Sequence, residues 1–160
     1  LSLSEVTVRC LPYLERSGLL GNAPREYVEQ VISLVKERVK LLPEVVEYTE
    51  FFFQEPEPTA ALLVGKKLSP EEARNALAAA RERLAGLPEW DEALMEAEMR
   101  ALGEELGLKT GPFFMILRVA TTGKTVSPGL FETARVLGRE RTLARLDRAV
   151  EVLSSETAAV

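Results

Sequence analysis

Arg118 is the only charged side chain between Gly111 and Gly123. Its neighbours Phe113, Phe114, Met115, Ile116, Leu117, Val119 and Ala120 cover nearly the whole circumference at helical spacing, the pattern of a buried helix. A guanidinium there is costly unless a carboxylate pairs with it or it opens onto a ligand. The chemistry it implies is therefore binding, through an internal ion pair or to an external anion or base. After Gly123 ends the helix, Ser127-Pro128 reads as N-cap and first residue of the next one, with free backbone N–H groups beside Arg118. Arg38 poses the same question. On a helix opened by Pro24 and running through Leu42, it falls in the apolar arc beside Val31 and Leu34, away from Glu29, Lys36 and Lys40. It either pairs with a carboxylate such as Glu44 or Glu47, or reads a base. Its planar fork engages two acceptors at once, worth about 1–3 kcal/mol of discrimination between bases.

Several kinds of catalysis are excluded. The 160 residues contain no histidine, which removes a histidine base, a histidine metal site and Ser-His or Cys-His nucleophile pairs. No glycine-rich phosphate loop is present. Lys66-Lys67-Leu68-Ser69 has the look of a lysine-rich ATP loop, but Pro70-Glu71-Glu72 follows, and Ser69 to Glu72 makes a capping box that starts a helix. The adjacent pairs Glu71, Glu72 and Glu104, Glu105 read as solvated surface. The chain carries no active site of its own.

The elements that position these residues read as helices throughout, because alternating β-branched or aromatic runs bounded by turns are absent. The expected fold is all-α. A first helix covers Ser4 to Glu15, with a break possible at Pro12. The helix of Arg38 follows, and then a segment from Pro43 through Phe53. Gln54-Glu55-Pro56-Glu57-Pro58 cannot continue a helix and separates two subdomains, 1–57 and 58–160. Later helices start from Ser69, Asp91, Thr110, Ser127 and about Arg139. Phe113, Phe114 and Phe131 read as core rather than as stacking platforms.

With 46% hydrophobic residues the chain can bury one core or two small ones, and no apolar run approaches bilayer length. The single cysteine, Cys10, and the lack of a leader segment suggest a reducing cytoplasm. The net charge of −5 is unevenly spread. From Lys109 to Arg148 eight cations face only Glu132, Glu140 and Asp147. Arg139, Arg141, Arg145 and Arg148 are either the solvated face of a terminal helix or, for some of them, phosphate-steering groups.

The run LRVATTGKTVSPGLFE from Leu117 to Glu132, followed by a helix ending in Leu137-Gly138 with Glu140 beyond, resembles the C-terminal anticodon-binding region of bacterial glutamyl-tRNA synthetases. Leu108 to Gly111, Val136 to Arg141, Val35 to Arg38 and Phe51 to Phe53 extend the resemblance, closely from Leu108 to Ala149 and more loosely before. It implies an all-α anticodon-binding bundle whose catalytic domain lies upstream in a longer protein, in keeping with a start at Leu1. The partner it implies is the anticodon loop of glutamate tRNA. Arg38 would contact the third anticodon base, a cytosine, as in the glutamate-selective members. Arg118 with Ser127, Pro128 and Leu130 would face the first two bases, the serine keeping a hydroxyl but lacking the methyl of a threonine. No cofactor belongs to this part; the full-length enzyme uses ATP and magnesium. A monomer away from membranes is expected. The rival reading is an all-α protein-interaction module in which the Tyr48 to Phe53 segment or the acidic surface docks a partner and the arginines pair internally. A helix-turn-helix DNA binder fits less well, since the second helix offers few base-reading side chains.

Overall fold

The computed structural model describes residues 2–39 and 42–158. Helices and their connections make up the described residues, with no strand among them, as expected of an all-α chain. Two compact units divide between Glu55 and Pro56, where Pro56 and Pro58 interrupt helix formation.

In the first unit, α1 (Leu3–Ser17), α2 (Arg25–Val35) and α3 (Val45–Phe53) enclose Cys10, Leu14, Val28, Ile32 and Val45. Ser2 caps α1 by accepting from the Glu5 N–H, and Gly18 ends it in the left-handed conformation. The helix continues through Pro12 unbroken. Buried Cys10 and Leu14 on either side anchor it, offsetting the roughly 3 kcal/mol that an interior proline costs. The Tyr27 hydroxyl donates to the Phe52 carbonyl at 2.7 Å and its ring meets Phe53 edge-on, which fastens α2 to the end of α3.

The helix expected to reach Leu42 is shorter. α2 stops at Val35, residues 36–38 form a turn, and a 3-10 turn over Leu42–Glu44 leads into α3. Lys36, Glu37 and Arg38 are all exposed, so three successive positions contribute no burial to support a further turn. Lys40, assigned to the polar face of the longer helix, lies outside the described residues, as does the side chain of Leu42.

The second unit comprises α4 (Ala60–Val64), α5 (Pro70–Ala85), α6 (Glu92–Leu106), α7 (Thr110–Thr122), α8 (Leu130–Leu137) and α9 (Arg139–Ala158). The short α4 had no counterpart in the sequence reading. α5 starts from the anticipated capping box: Ser69 Oγ accepts from the Glu72 N–H and Glu72 Oε1 from the Ser69 N–H, both at 3.1 Å. It packs most extensively on α9. Leu77, Met95, Met99, Phe113, Ile116, Leu146 and Leu153 fill the core. Phe113 lies against Gly103, where an added Cβ would come within 3.2 Å of its ring, so the glycine lets α6 approach α7. Phe114 and Phe131 meet edge-on at 5.3 Å, half-buried against the same core.

Candidate nucleic-acid interface

On α7, Phe113, Ile116, Leu117, Val119 and Ala120 are buried as their pattern requires, while Met115 and Arg118 lie on its less enclosed side. Arg118 is half-buried, and one of its guanidinium nitrogens, Nη1, donates to the Ser127 carbonyl at 3.1 Å, to Ser127 Oγ and to the Pro128 carbonyl at 2.7 Å. The arginine therefore closes the loop 123–129 that follows its own helix. Neutral oxygens of the backbone and a hydroxyl thus take part in compensating the charge.

The start of α8 differs from the expected one. The helix begins at Leu130 with Gly129 as N-cap and no side-chain cap bond, so Ser127 is not its N-cap and Pro128 is not its first residue. Ser127 Oγ accepts from Arg118 and donates to the Pro128 carbonyl at 2.8 Å instead. A charge-assisted bond outcompetes a neutral cap for the same oxygen. Around Gly129 folds the Glu132 carboxylate, within 3.2–3.4 Å of where a Cβ would stand, which places a negative group at the helix start in accord with its dipole. Ser127, Pro128 and Leu130 are buried, whereas Val126 at the tip of the loop is 72% exposed.

The lower stem of the loop is equally well determined. Thr122 Oγ1 donates to the Arg118 carbonyl at 2.7 Å and accepts from the Lys124 N–H at 3.1 Å. Gly123 ends α7 at φ +75°, and a Cβ there would come within 2.8 Å of Pro56 Cβ. Only glycine satisfies both the backbone and the space.

Arg38 occupies the exposed turn after α2 and is described within the first unit only; its N–H donates to the Val35 carbonyl at 2.9 Å. It is thus not on a buried helical face, because the helix ends before reaching it.

Two arginines of α9 hold backbone carbonyls rather than forming a plain solvated face. Arg139 donates to the carbonyls of Ala85 and Leu87 at 3.0 and 2.8 Å and lies over the Trp90 ring, capping the end of α5. Arg145 is only 3% exposed and donates to the Thr121 carbonyl at 2.6 Å. Thr142 and Ala149, three positions before it and four after, are buried on the same side of α9. Arg135 pairs with Glu92 at 2.6 Å, so a further cation of the basic region serves an internal bond, and Asp147 of that region is paired with Arg81 at 2.9 Å.

Among the described residues, no group of three or more His, Cys, Asp or Glu side chains could hold a metal ion. Nor is any described helix long and apolar enough to cross a membrane.

Comparison with known proteins places this arrangement. A family model described as the anticodon binding domain matches residues 5–150. The chain is 49% identical over 156 residues to a glutamate–tRNA ligase of Roseiflexus castenholzii, covering 93% of this chain and 30% of that protein. Against the glutamate–tRNA ligase of Dehalococcoides mccartyi strain CBDB1 it is 41% identical over 158 residues, covering 96% and 32%. The chain thus spans about a third of the length of these relatives. In fold it is similar to a crystal structure of a glutamate tRNA ligase from Elizabethkingia meningosepticum in complex with its amino acid, with a TM-score of 0.82 at 23% identity, over 96% of this chain and 30% of that one. A glutamate-tRNA synthetase from Elizabethkingia anophelis gives a TM-score of 0.73 over 94% and 29%. With the family model spanning most of its length, the chain belongs to the anticodon-binding domain family.

Proposed function

We propose that the chain is the C-terminal, anticodon-binding part of a glutamate–tRNA ligase and that it recognises the anticodon loop of glutamate tRNA. The match of the anticodon-binding family model to residues 5–150 carries this reading. The longer protein would activate glutamate with ATP and magnesium and transfer it to the tRNA in an upstream catalytic domain, as a cytoplasmic monomer. This part supplies binding and no chemistry; its contribution is a difference in affinity between cognate and non-cognate tRNAs.

The readers are Arg38 for the third anticodon base and the cluster of Arg118, Ser127, Pro128 and Leu130 for the first two. Single-stranded bases are read by hydrogen bonds to their edges and by contact with flat or apolar groups once they are splayed out. An exposed arginine such as Arg38 is free to meet a base edge without prior desolvation of a core. At the second unit the cluster acts together with its loop: half-buried Arg118 and buried Ser127 and Pro128 shape the loop that meets the base. The Glu132 carboxylate at the start of α8 disfavours a phosphate there and suits a base donor.

The test is a titration of the chain with glutamate tRNA and with the same tRNA carrying G for C at the third anticodon base. Cognate binding should be weakened about tenfold or more by the change, as loss of a bidentate contact requires. It should also fall as salt rises, with a slope of about 0.7 per phosphate contacted. Absence of tRNA binding, or a salt-insensitive complex with a protein instead, would overturn the proposal.

A further inference from the structure

Arg145 is the only charged side chain among the described residues that is fully enclosed. A guanidinium withdrawn from water is strongly disfavoured unless its donors are used, and well-packed apolar residues often replace buried ions with no loss of stability. Stability by itself therefore gives no reason to keep a cation here. What Arg145 holds does give one. Its Nη1 donates at 2.6 Å to the carbonyl of Thr121, in the last turn of α7, where carbonyls lack intrahelical partners and where Thr121 itself is buried. Further hydrogen bonds start from the same turn. The neighbouring Thr122 hydroxyl joins the Arg118 carbonyl to the Lys124 N–H, and the Arg118 guanidinium joins the same helix to Ser127 and Pro128. Both stems of the loop 123–129 are thus tied to the end of α7, and the end of α7 is tied to α9 through Arg145.

We propose that Arg145 is a positioning residue for base readout, pinning the C-terminal turn of α7 so that the loop 123–129 is held in a single geometry with its tip, Val126, presented outward. The proposal rests on the reading of that loop as a tRNA contact. It predicts that loosening the turn costs discrimination between bases more than it costs general attraction to RNA, because discrimination depends on placement to within a fraction of an ångström and general attraction does not.

The experiment uses an RNA hairpin whose loop carries the glutamate anticodon and a second hairpin with the middle anticodon base changed. Affinities for both are measured at one salt concentration for the unaltered chain, Arg145→Lys, Arg145→Met and Leu84→Ala, a core truncation on α5 that leaves the Arg145 contact intact. Amide hydrogen exchange of residues 121–129 is followed in parallel. Arg145→Met should lose about tenfold in affinity for the cognate hairpin and little for the altered one, with faster exchange in the loop. Arg145→Lys, which keeps one donor for the Thr121 carbonyl, should fall between, and Leu84→Ala should discriminate as the unaltered chain does. If Arg145→Met does not fold, Arg145→Lys carries the test through its intermediate discrimination and loop exchange. The proposal is overturned if the folded Arg145 variants discriminate fully, or if Leu84→Ala loses as much. Should the unaltered chain itself fail to tell the hairpins apart, the reading of the loop falls and this inference with it, a result distinct from discrimination that survives at Arg145.

Discussion

Arg118 and Pro128 are joined by a hydrogen bond of 2.7 Å from the guanidinium to the proline carbonyl, so a side chain of α7 closes the loop that its own helix leads into. The same nitrogen serves Ser127, which leaves the loop with little freedom to adopt another path.

Replacing Arg118 by methionine should therefore act twice. The Ser127 and Pro128 oxygens lose a charged donor in a half-buried setting, at a cost of about 1–3 kcal/mol in the unfolding free energy of the second unit. Affinity for glutamate tRNA should drop by about tenfold or more. Urea unfolding and tRNA titration measure the two effects; unchanged affinity would remove Arg118 from the site.

Gly123→Ala tests the loop stem without touching any charge. A left-handed backbone at φ +75° and the approach of Pro56 both oppose a Cβ, and a loss of about 1–3 kcal/mol in stability is expected. A shift of less than about 0.5 kcal/mol would mean that the chain relaxes there.

Arg139 separates structural from phosphate-steering arginines. Arg139→Met removes donors from the Ala85 and Leu87 carbonyls and should destabilise by about 1–3 kcal/mol. The salt dependence of tRNA binding should stay as it was, since the group faces backbone oxygens and Trp90 rather than an RNA.

At Arg38 the opposite pattern is expected. Its side chain is exposed, so Arg38→Gln should alter stability by less than about 0.5 kcal/mol while reducing the preference for C over G at the third anticodon base. Retained preference in a folded variant would assign that base to another residue.

Burial pushes the Cys10 thiol above its usual range. The native state thus holds the proton more tightly than the unfolded chain does. The thiol's contribution to stability is fully present below the ordinary thiol pKa of about 8.5 and is lost as pH rises beyond it. Alkylation at pH 8 should proceed only as fast as the first unit opens, and addition of urea should speed it.

What the sequence determined by itself was largely local. The Ser69 to Glu72 capping box, the stop at Gly123, the all-α character and the break at Pro56 and Pro58 depend on neighbours a few residues apart, and each was legible in the pattern. Arg118 too announced itself by standing alone in an apolar run. Where the reading failed, the deciding partner was distant or the burial was missing. α2 ends at Val35, where Lys36, Glu37 and Arg38 are all exposed, although their helical periodicity continues on paper. Ser127 yields its capping role because Arg118, nine positions earlier, supplies a stronger partner. Arg139 and Arg145 cap helix ends 54 and 24 positions away, which no local pattern encodes. Local hydrogen bonds and backbone strain are written in short stretches of sequence; which charge is enclosed and which meets solvent depends on how helices far apart in the chain come to lie together, and that is decided only when the core closes.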